Sequence, residues 1–356
     1  MNTNRVFIGL IVMLSLAILS VACESPTGPT EDDGEQQLDG LPGEDANPNL
    51  FPVEADDDDW GFIDPEGEIQ IAAQFDEAEH FVEGWARVVD DGDYLFIDET
   101  GQVVLRPDVS YVDSFSEGLA RARKDADGQW GYIDDSGDFT ISPQFDLAGT
   151  FAEGFAAVRP EVPGDNSDDG WGYIDSSGEF AIEPQFGGAQ RFGDGLAPVR
   201  EDFSLDNDWG FINSDGEFEI EAAYESAKWF SEGLAPVNTG DSLNPAWGYI
   251  DTSGELVIED DWYDAQPFSE GSGPVQEDSQ FGGGGSWLYV DSDGEELFDE
   301  DRYDFAEPFS RGLGRVSISG TAPDYDVGGG ETEYDLSETD LGYIDEDGNQ
   351  VWPSDD

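Results

Sequence analysis

Trp171-Gly172-Tyr173-Ile174-Asp175-Ser176-Ser177-Gly178 is one of eight related stretches that follow one another down this 356-residue chain. Each opens on an anchor: Trp60, Tyr94, Trp130, Trp171, Trp209, Trp247, Trp287 or Leu341. Two residues on stands Phe or Tyr in every copy, and seven on stands Gly. A second Phe follows 21 residues after the first six anchors (Phe81, Phe115, Phe151, Phe192, Phe230, Phe268) and 22 after Trp287 (Phe309). From each second Phe to the next anchor, by contrast, the spacing is 13, 15, 20, 17, 17, 19 and 32 residues. Constant inner spacing beside variable outer spacing marks a packed unit alternating with a solvent loop, because loop-closure entropy grows only slowly with length.

Within one copy, residues 196–199, 209–213 and 218–220 are short apolar or β-prone runs, which predicts three strands per unit. The turn Asp64-Pro65-Glu66-Gly67 suits a hairpin: Asp caps the first position, Pro fixes φ at the second and Gly takes the fourth. Alternation puts Trp171, Tyr173 and Asp175 on one face of the middle strand and Gly172 and Ile174 on the other. A Gly inside a strand predicts that another backbone passes close. The link 143–151 begins at Pro143 and spaces its apolar residues at three, which predicts a turn or one helical loop. Leu50 to Val53 reads as the first strand of a first unit, and Asn349 to Trp352 as the third strand of a last.

These residues carry a family resemblance. W-G-[FY]-I-D-x-x-G, followed by I-x-P-x-F-D and F-x-E-G-L-A, resembles the bacterial WG repeat over residues 50–353; the departures are Tyr94-Leu95, Trp287-Leu288 and Leu341. The resemblance implies variable copy number, an envelope or secreted setting, and a non-enzymatic binding or scaffolding module. The expected fold is therefore all-β: a tandem array of eight three-stranded antiparallel units. An open β-superhelix or solenoid is favoured because a ring tolerates few copy numbers; a closed propeller-like ring is the alternative.

Ahead of the array, Arg5 precedes an apolar run from Val6 to Leu19, then Ser20, Val21, Ala22 and Cys23, the sole cysteine. Residues 1–22 read as a secretory lipoprotein signal, and Cys23 resembles the acylated residue of a lipobox, with Ser20 where Leu is usual. Acylation would leave no free thiol and no disulfide. Residues 23–49 read as a disordered acidic tether, since 24–49 hold four Pro, four Gly, eight acids and no base. At 26 residues a flexible coil spans roughly 30 Å, lifting the array off a lipid surface.

The chain holds 84 Asp and Glu against 13 Lys and Arg, for a formal charge of −71. Self-repulsion of that size is relieved at about 1 M salt, where the screening length is about 3 Å, so a halophilic source is expected. Nucleic acid and anionic headgroups would be repelled, leaving membrane contact only through the lipid anchor. Acidic clusters such as 56–59, 125–128, 291–294 and 345–348 lack the distal Glu of a twelve-residue calcium loop and read first as solvated surface. A weak Ca²⁺ site is the alternative; no metal residue or other cofactor is assigned.

The anchors read as core packing between units rather than as a sugar-stacking row. Trp85, Trp229 and Trp262 lie off the anchor position and are the candidates for exposure and ligand contact. No catalytic residue is assigned: the single His80 reads as an exposed loop residue, and no Ser sits in a G-x-S-x-G elbow. The insertion 317–340 reads as disordered in preference to functional. The expected function is a non-enzymatic, lipid-anchored, extracytoplasmic envelope scaffold that binds a protein or glycan partner. A cell-wall or polysaccharide-binding lectin is the alternative.

Overall fold

The computed structural model describes residues 48–55, 59–126, 128–160, 170–201, 208–241, 244–278, 284–298, 302–319 and 340–353. Residues 1–22, Cys23, nearly all of the tether and most of the insertion 317–340 lie outside them. Every regular element among the described residues is a β-strand, arranged in small antiparallel sheets. The chain is an all-β tandem repeat.

One unit explains the rest. The anchor strand Trp171–Ile174 pairs with a first strand, Ala156–Pro160, and a third, Phe180–Phe186, with Ala156 opposite Ile174 and Tyr173 opposite Ile182. The hairpin between anchor and third strands is made by Asp175. Its carboxylate accepts from the Ser177 backbone N–H at 2.9 Å and the Ser177 hydroxyl at 2.6 Å, while Gly178 N–H donates to the Asp175 carbonyl at 2.9 Å. Those bonds hold the Asp175 carboxyl below its usual range, the Ser177 hydroxyl foremost. Gly178 sits at φ +84°, where a side chain is strained.

In the Trp-Gly units the Gly after the anchor lets the third strand cross close over the anchor strand. A Cβ on Gly172 would lie 2.6 Å from the Ile182 carbonyl oxygen, and the same crowding recurs at Gly61, Gly131 and Gly210. Each crossing coincides with a register shift in the ladder, which bends the third strand over the anchor strand. In the five Trp-Gly units the third strand runs at least seven residues, as in Ile69–Phe75 and Phe218–Tyr224, whereas after Leu341-Gly342 it is Gln350–Trp352. Where Leu95 replaces the Gly, the third strand shrinks to Val103–Leu105; beside Leu288 the described residues show isolated bridges, Val290 to Glu296 and Trp287 to Tyr303.

The link departs from expectation. In place of a turn or helical loop, it is extended and adds a fourth strand beside the first strand of the next unit: Gly188–Ala189 pairs with Ala197–Arg200, and Ser226–Ala227 with Leu234–Asn238. In one unit the third strand and link are continuous as Phe139–Ala148. Spacing by three misled because Pro143 sits in extended backbone at the register shift between the Ile141 and Phe145 pairings, where the ladder donor it lacks is not needed.

Packing between units repeats as regularly as the sequence. The aromatic residue two past each anchor meets the second Phe: Phe62 with Phe81, Tyr132 with Phe151 and Tyr173 with Phe192 have ring centroids 4.9 to 5.0 Å apart. Where that residue is Tyr, its hydroxyl donates to a link carbonyl, Tyr173 to Gln190 at 2.8 Å and Tyr249 to Gln266 at 2.8 Å. Turn glycines seat on the preceding third strand: a Cβ on Gly178 would lie 3.1 Å from Ile141, and one on Gly216 3.1 Å from Ile182.

The same contacts join the two ends of the array. A Cβ on Gly67 would lie 2.8 Å from the Val351 carbonyl, and Tyr343 donates to the Pro52 carbonyl at 2.9 Å. Phe51, Val53, Ile63, Leu313 and Tyr343 share one buried cluster. Arg315 lies over the Trp60 ring, 5.2 Å from its centroid.

Candidate functional site

The anchors sit where three strands pair and are buried to differing degrees. Trp130, Trp247 and Trp287 are buried, whereas Trp60, Tyr94, Trp171, Trp209 and Leu341 are half-buried. Several carry a cation on the ring face: Arg123 lies 4.2 Å from the Trp130 centroid, Lys228 4.9 Å from Trp247 and Arg200 5.2 Å from Trp209. A cation over an indole face is attracted by the ring quadrupole, so scarce basic residues are held at the sheets.

Among the off-anchor tryptophans, the expectation of exposure fails for Trp85, which is 6% exposed. It occupies the Leu position of F-x-E-G-L-A and packs edge-on against Phe115, with centroids 5.7 Å apart. Trp262 is half-buried against the cluster of Trp247 and Tyr249. Trp229 is half-buried beside Arg191, whose guanidinium stands 5.3 Å from the indole centroid.

His80 is likewise not a loop residue. It lies in the strand Glu77–Val82, half-buried, with its ring edge-on to Phe51 and Tyr343, and its Nδ1 has no hydrogen-bond partner. Burial, with Arg315 and Arg311 nearby, presses its pKa down to about 3 against the pull of Glu79. Glu79 itself is raised by burial, but Arg87 and Ser114 outweigh that and hold its carboxyl below the usual range.

Sequence reasoning missed the Glu-Gly turn between link strand and first strand. Glu83, Glu117, Glu153, Asp194, Glu232 and Glu270 all hold φ between 48° and 56°, followed by Gly at positive φ. Each carboxylate accepts from the Gly N–H of the next such turn: Glu117 from Gly154 at 2.8 Å, Glu153 from Gly195 at 2.9 Å, Asp194 from Gly233 at 2.6 Å. The relay ends at Arg311, which stands in the acid's place at φ 53° and donates to the carbonyls of Pro48, at 3.1 Å, and Phe81. Recurrence of Glu-Gly 23 residues after the anchors was the available signal.

Two recesses lie among the links. One, of 280 Å³, is lined by the turns around Glu117, Glu153 and Asp194, with Arg191 at its wall. The other, of 400 Å³, joins Arg191 and Trp229 to Gln266, Pro267, Ser269 and Pro308. Arg191 thus fronts both, and burial lowers its pKa while Glu117 and Glu153 oppose that. Acidic clusters serve as turn caps: Asp291 accepts from Asp293 and Glu295 N–H, and Asp345 from Asp347 and Asn349 N–H. Among the described residues no three His, Cys, Asp or Glu side chains are grouped to hold a metal ion.

No curated protein matches this sequence. In fold, the chain is similar to a solved structure described as "Crystal structure of the eukaryotic initiation factor", with TM-score 0.52, 12% identity, and coverage of 86% of this chain and 85% of that one. It is also similar to a prolyl endopeptidase structure, with TM-score 0.50, 10% identity, and coverage of 75% of this chain and 47% of that one. At such identities the likeness concerns fold alone, a repeat β-fold resembling propeller-like structures. The sequence profile described as "WG containing repeat" matches residues 60–94, 96–126, 130–159, 171–202, 209–241, 247–280 and 289–321, so the chain belongs to the WG-repeat family.

Proposed function

We propose that eight units close into a propeller-like ring, and that this ring is a non-enzymatic binding platform of the cell envelope. The closed form replaces the open superhelix as the preferred reading. Eight anchors head the units, and eight hydrophobic clusters are found among the described residues, whereas an open array of eight has seven junctions. The junction of Phe51 and Val53 with Tyr343 is the eighth. The strand Phe51–Glu54 stands to the last unit as Gly273–Asp278 stands to the unit before it: Tyr343 donates to Pro52, and Tyr249 reaches Pro274 at 3.4 Å.

The observation that carries the platform reading is where length varies. Strands and Asp turns hold their spacing, while the connections between first and anchor strands differ and all leave the sheets at the edge opposite the Glu-Gly turns. A rigid scaffold with one variable edge is the arrangement that places recognition on loops. Envelope extract at native salt is the source of partner: retention on the wild-type protein should be lost when 161–169 and 320–339 are replaced by short Gly-Ser connections, with the thermal midpoint unchanged. Retention that ignores those connections would refute the platform reading.

Cys23 is proposed as the acylated residue of an extracytoplasmic lipoprotein from a halophilic bacterium, tethered through 24–49. Labelling with an alkyne fatty acid should mark the wild type and not Cys23→Ser; equal labelling of both overturns the anchor. A saccharide-binding module is the second reading, favoured by the Trp229 recess.

A further inference from the structure

We propose that the 400 Å³ recess at Trp229 is a binding site for a neutral oligosaccharide; this deepens the second reading above and rests on it. The volume falls within the roughly 300–1,000 Å³ typical of small-molecule sites, and its wall mixes an aromatic platform with a few convergent polar groups. Trp229 is half-buried, so its ring is held in place while part of its surface stays open. Pro267 and Pro308 stiffen the wall on link backbone already fixed by hydrogen bonds, Tyr249 to the Gln266 carbonyl and Tyr289 to the Glu307 carbonyl.

The polar groups decide the ligand class. Arg191 offers a planar fork of donors, Gln266 an amide that both donates and accepts, and Ser231 and Ser269 hydroxyls that do the same. None of these four side chains has a hydrogen-bond partner among the described residues, although Arg191 keeps its contact with Trp229. A wholly apolar guest would strip them of water without replacing the lost hydrogen bonds. A cation would meet the Arg191 guanidinium, while the lining carboxylate of Glu307 has its pKa raised by burial and is already 3.8 Å from Arg315. An anion would cross the field of a chain carrying −71 and pass near Glu117 and Glu153, which face Arg191. A neutral polyol ring satisfies donors and acceptors together and lays its C–H face on the indole.

Neighbouring units do not repeat this combination. The position before the second Phe is His80, Ser114, Thr150, Arg191, Trp229, Pro267 and Pro308 in turn, so one Arg-Trp pair occurs along the series. The site therefore has a single copy and a stoichiometry of one.

Calorimetric titration of the full chain at 1 M NaCl with maltohexaose, cellohexaose, xylohexaose and the N-acetylglucosamine hexamer tests the assignment. One of these should saturate at one per chain, with Trp229→Ala weakening it at least about tenfold, and Gln266→Ala and Arg191→Ala several-fold. Trp229→Phe, which keeps an aromatic face and the packing, should retain most of the affinity. The inference falls if no neutral oligosaccharide saturates at millimolar concentration, if only oligogalacturonate binds, or if a bound sugar ignores Trp229→Ala in a protein whose thermal midpoint is unchanged. Loop-dependent retention of an envelope protein without sugar binding would sink this inference while leaving the platform reading intact.

Discussion

At the residue scale, the position two past the anchor separates what packing requires from what a hydrogen bond adds. Phe62, Phe96 and Phe211 fill it in three units and Tyr132, Tyr173 and Tyr249 in others, all essentially without solvent exposure. The ring is required for the core and the hydroxyl is optional. Tyr173→Phe should therefore fold normally but lose about 1 kcal/mol in denaturant titration, because the Gln190 carbonyl loses its donor. Burial pushes the Tyr173 phenol upward, so no tyrosinate forms there at ordinary pH. His80 makes a second, pH-dependent prediction. Its folded pKa is depressed to about 3, whereas in the unfolded chain it titrates near 6.5. Between those values the unfolded state holds the extra proton, so its contribution is full above pH 6.5 and is lost as pH falls toward 3. Urea titrations across that window should show wild type losing ground to His80→Leu by at most about 1.4 kcal/mol per pH unit. A difference that stays flat with pH would place the His80 ring in water.

Elements were legible in the sequence to unequal depth. The anchor strand and Asp turn could be read because their signals are local: alternation, a capping carboxylate, and a Gly at fixed offset. Crowding at Gly172 was also foreseeable, since a strand Gly without a turn needs a close neighbour. The link was misread because its pairing is non-local: Gly188–Ala189 becomes a strand only once Ala197–Arg200 lies beside it. Likewise, Trp85 could not be told from a surface residue without knowing that its position is the buried Leu of other units. The Glu-Gly turn shows how local strain and long-range bonding are balanced. Glu153 sits at φ 54°, a conformation costing roughly 1–2 kcal/mol for a residue with a Cβ, and recovers part of it by accepting from Gly195. Glu153→Ala keeps the strain and loses the bond, so it should cost about 1 kcal/mol. Glu153→Gly loses both and should be nearly neutral. Equal losses in thermal denaturation would mean that the positive φ stores no strain, and an Ala variant as stable as wild type would mean that the bond is worth nothing in solvent.

For the whole molecule, the proposed ring must hold together against a formal charge of −71. Several of its few cations are placed where they bind sheets together: Lys228 to Asp264 at 3.0 Å and the Ala265 carbonyl at 2.7 Å, and Arg315 to the Trp60 ring. Of these, Arg311 has the largest reach along the sequence, since its guanidinium joins the last Glu-Gly turn to Pro48 and Phe81. Pro48 precedes Phe51–Glu54 by the few residues that separate the other turns from their first strands, so Arg311 does across the junction what each carboxylate does between neighbours. Replacing it with the residue of the other turns tests closure directly. Arg311→Glu matches the local consensus and keeps the positive φ, but cannot donate to either carbonyl. In the proposed ring it should cost about 1–3 kcal/mol, a range set by the loss of charge-assisted hydrogen bonds. The loss should be concentrated at the ends: amide exchange in Phe51–Glu54 and Asp340–Asp345 should accelerate while Trp209–Ile212, opposite in the array, keeps its protection. Raising NaCl to 1 M should shrink any part of the effect due to added repulsion and leave the hydrogen-bond part standing, since screening acts on separated charges and not on a missing donor. In an open array the terminal strands would already exchange quickly in the wild type and Arg311→Glu would change nothing there. That outcome, with elongated scattering in solution, would return the molecule to a superhelix.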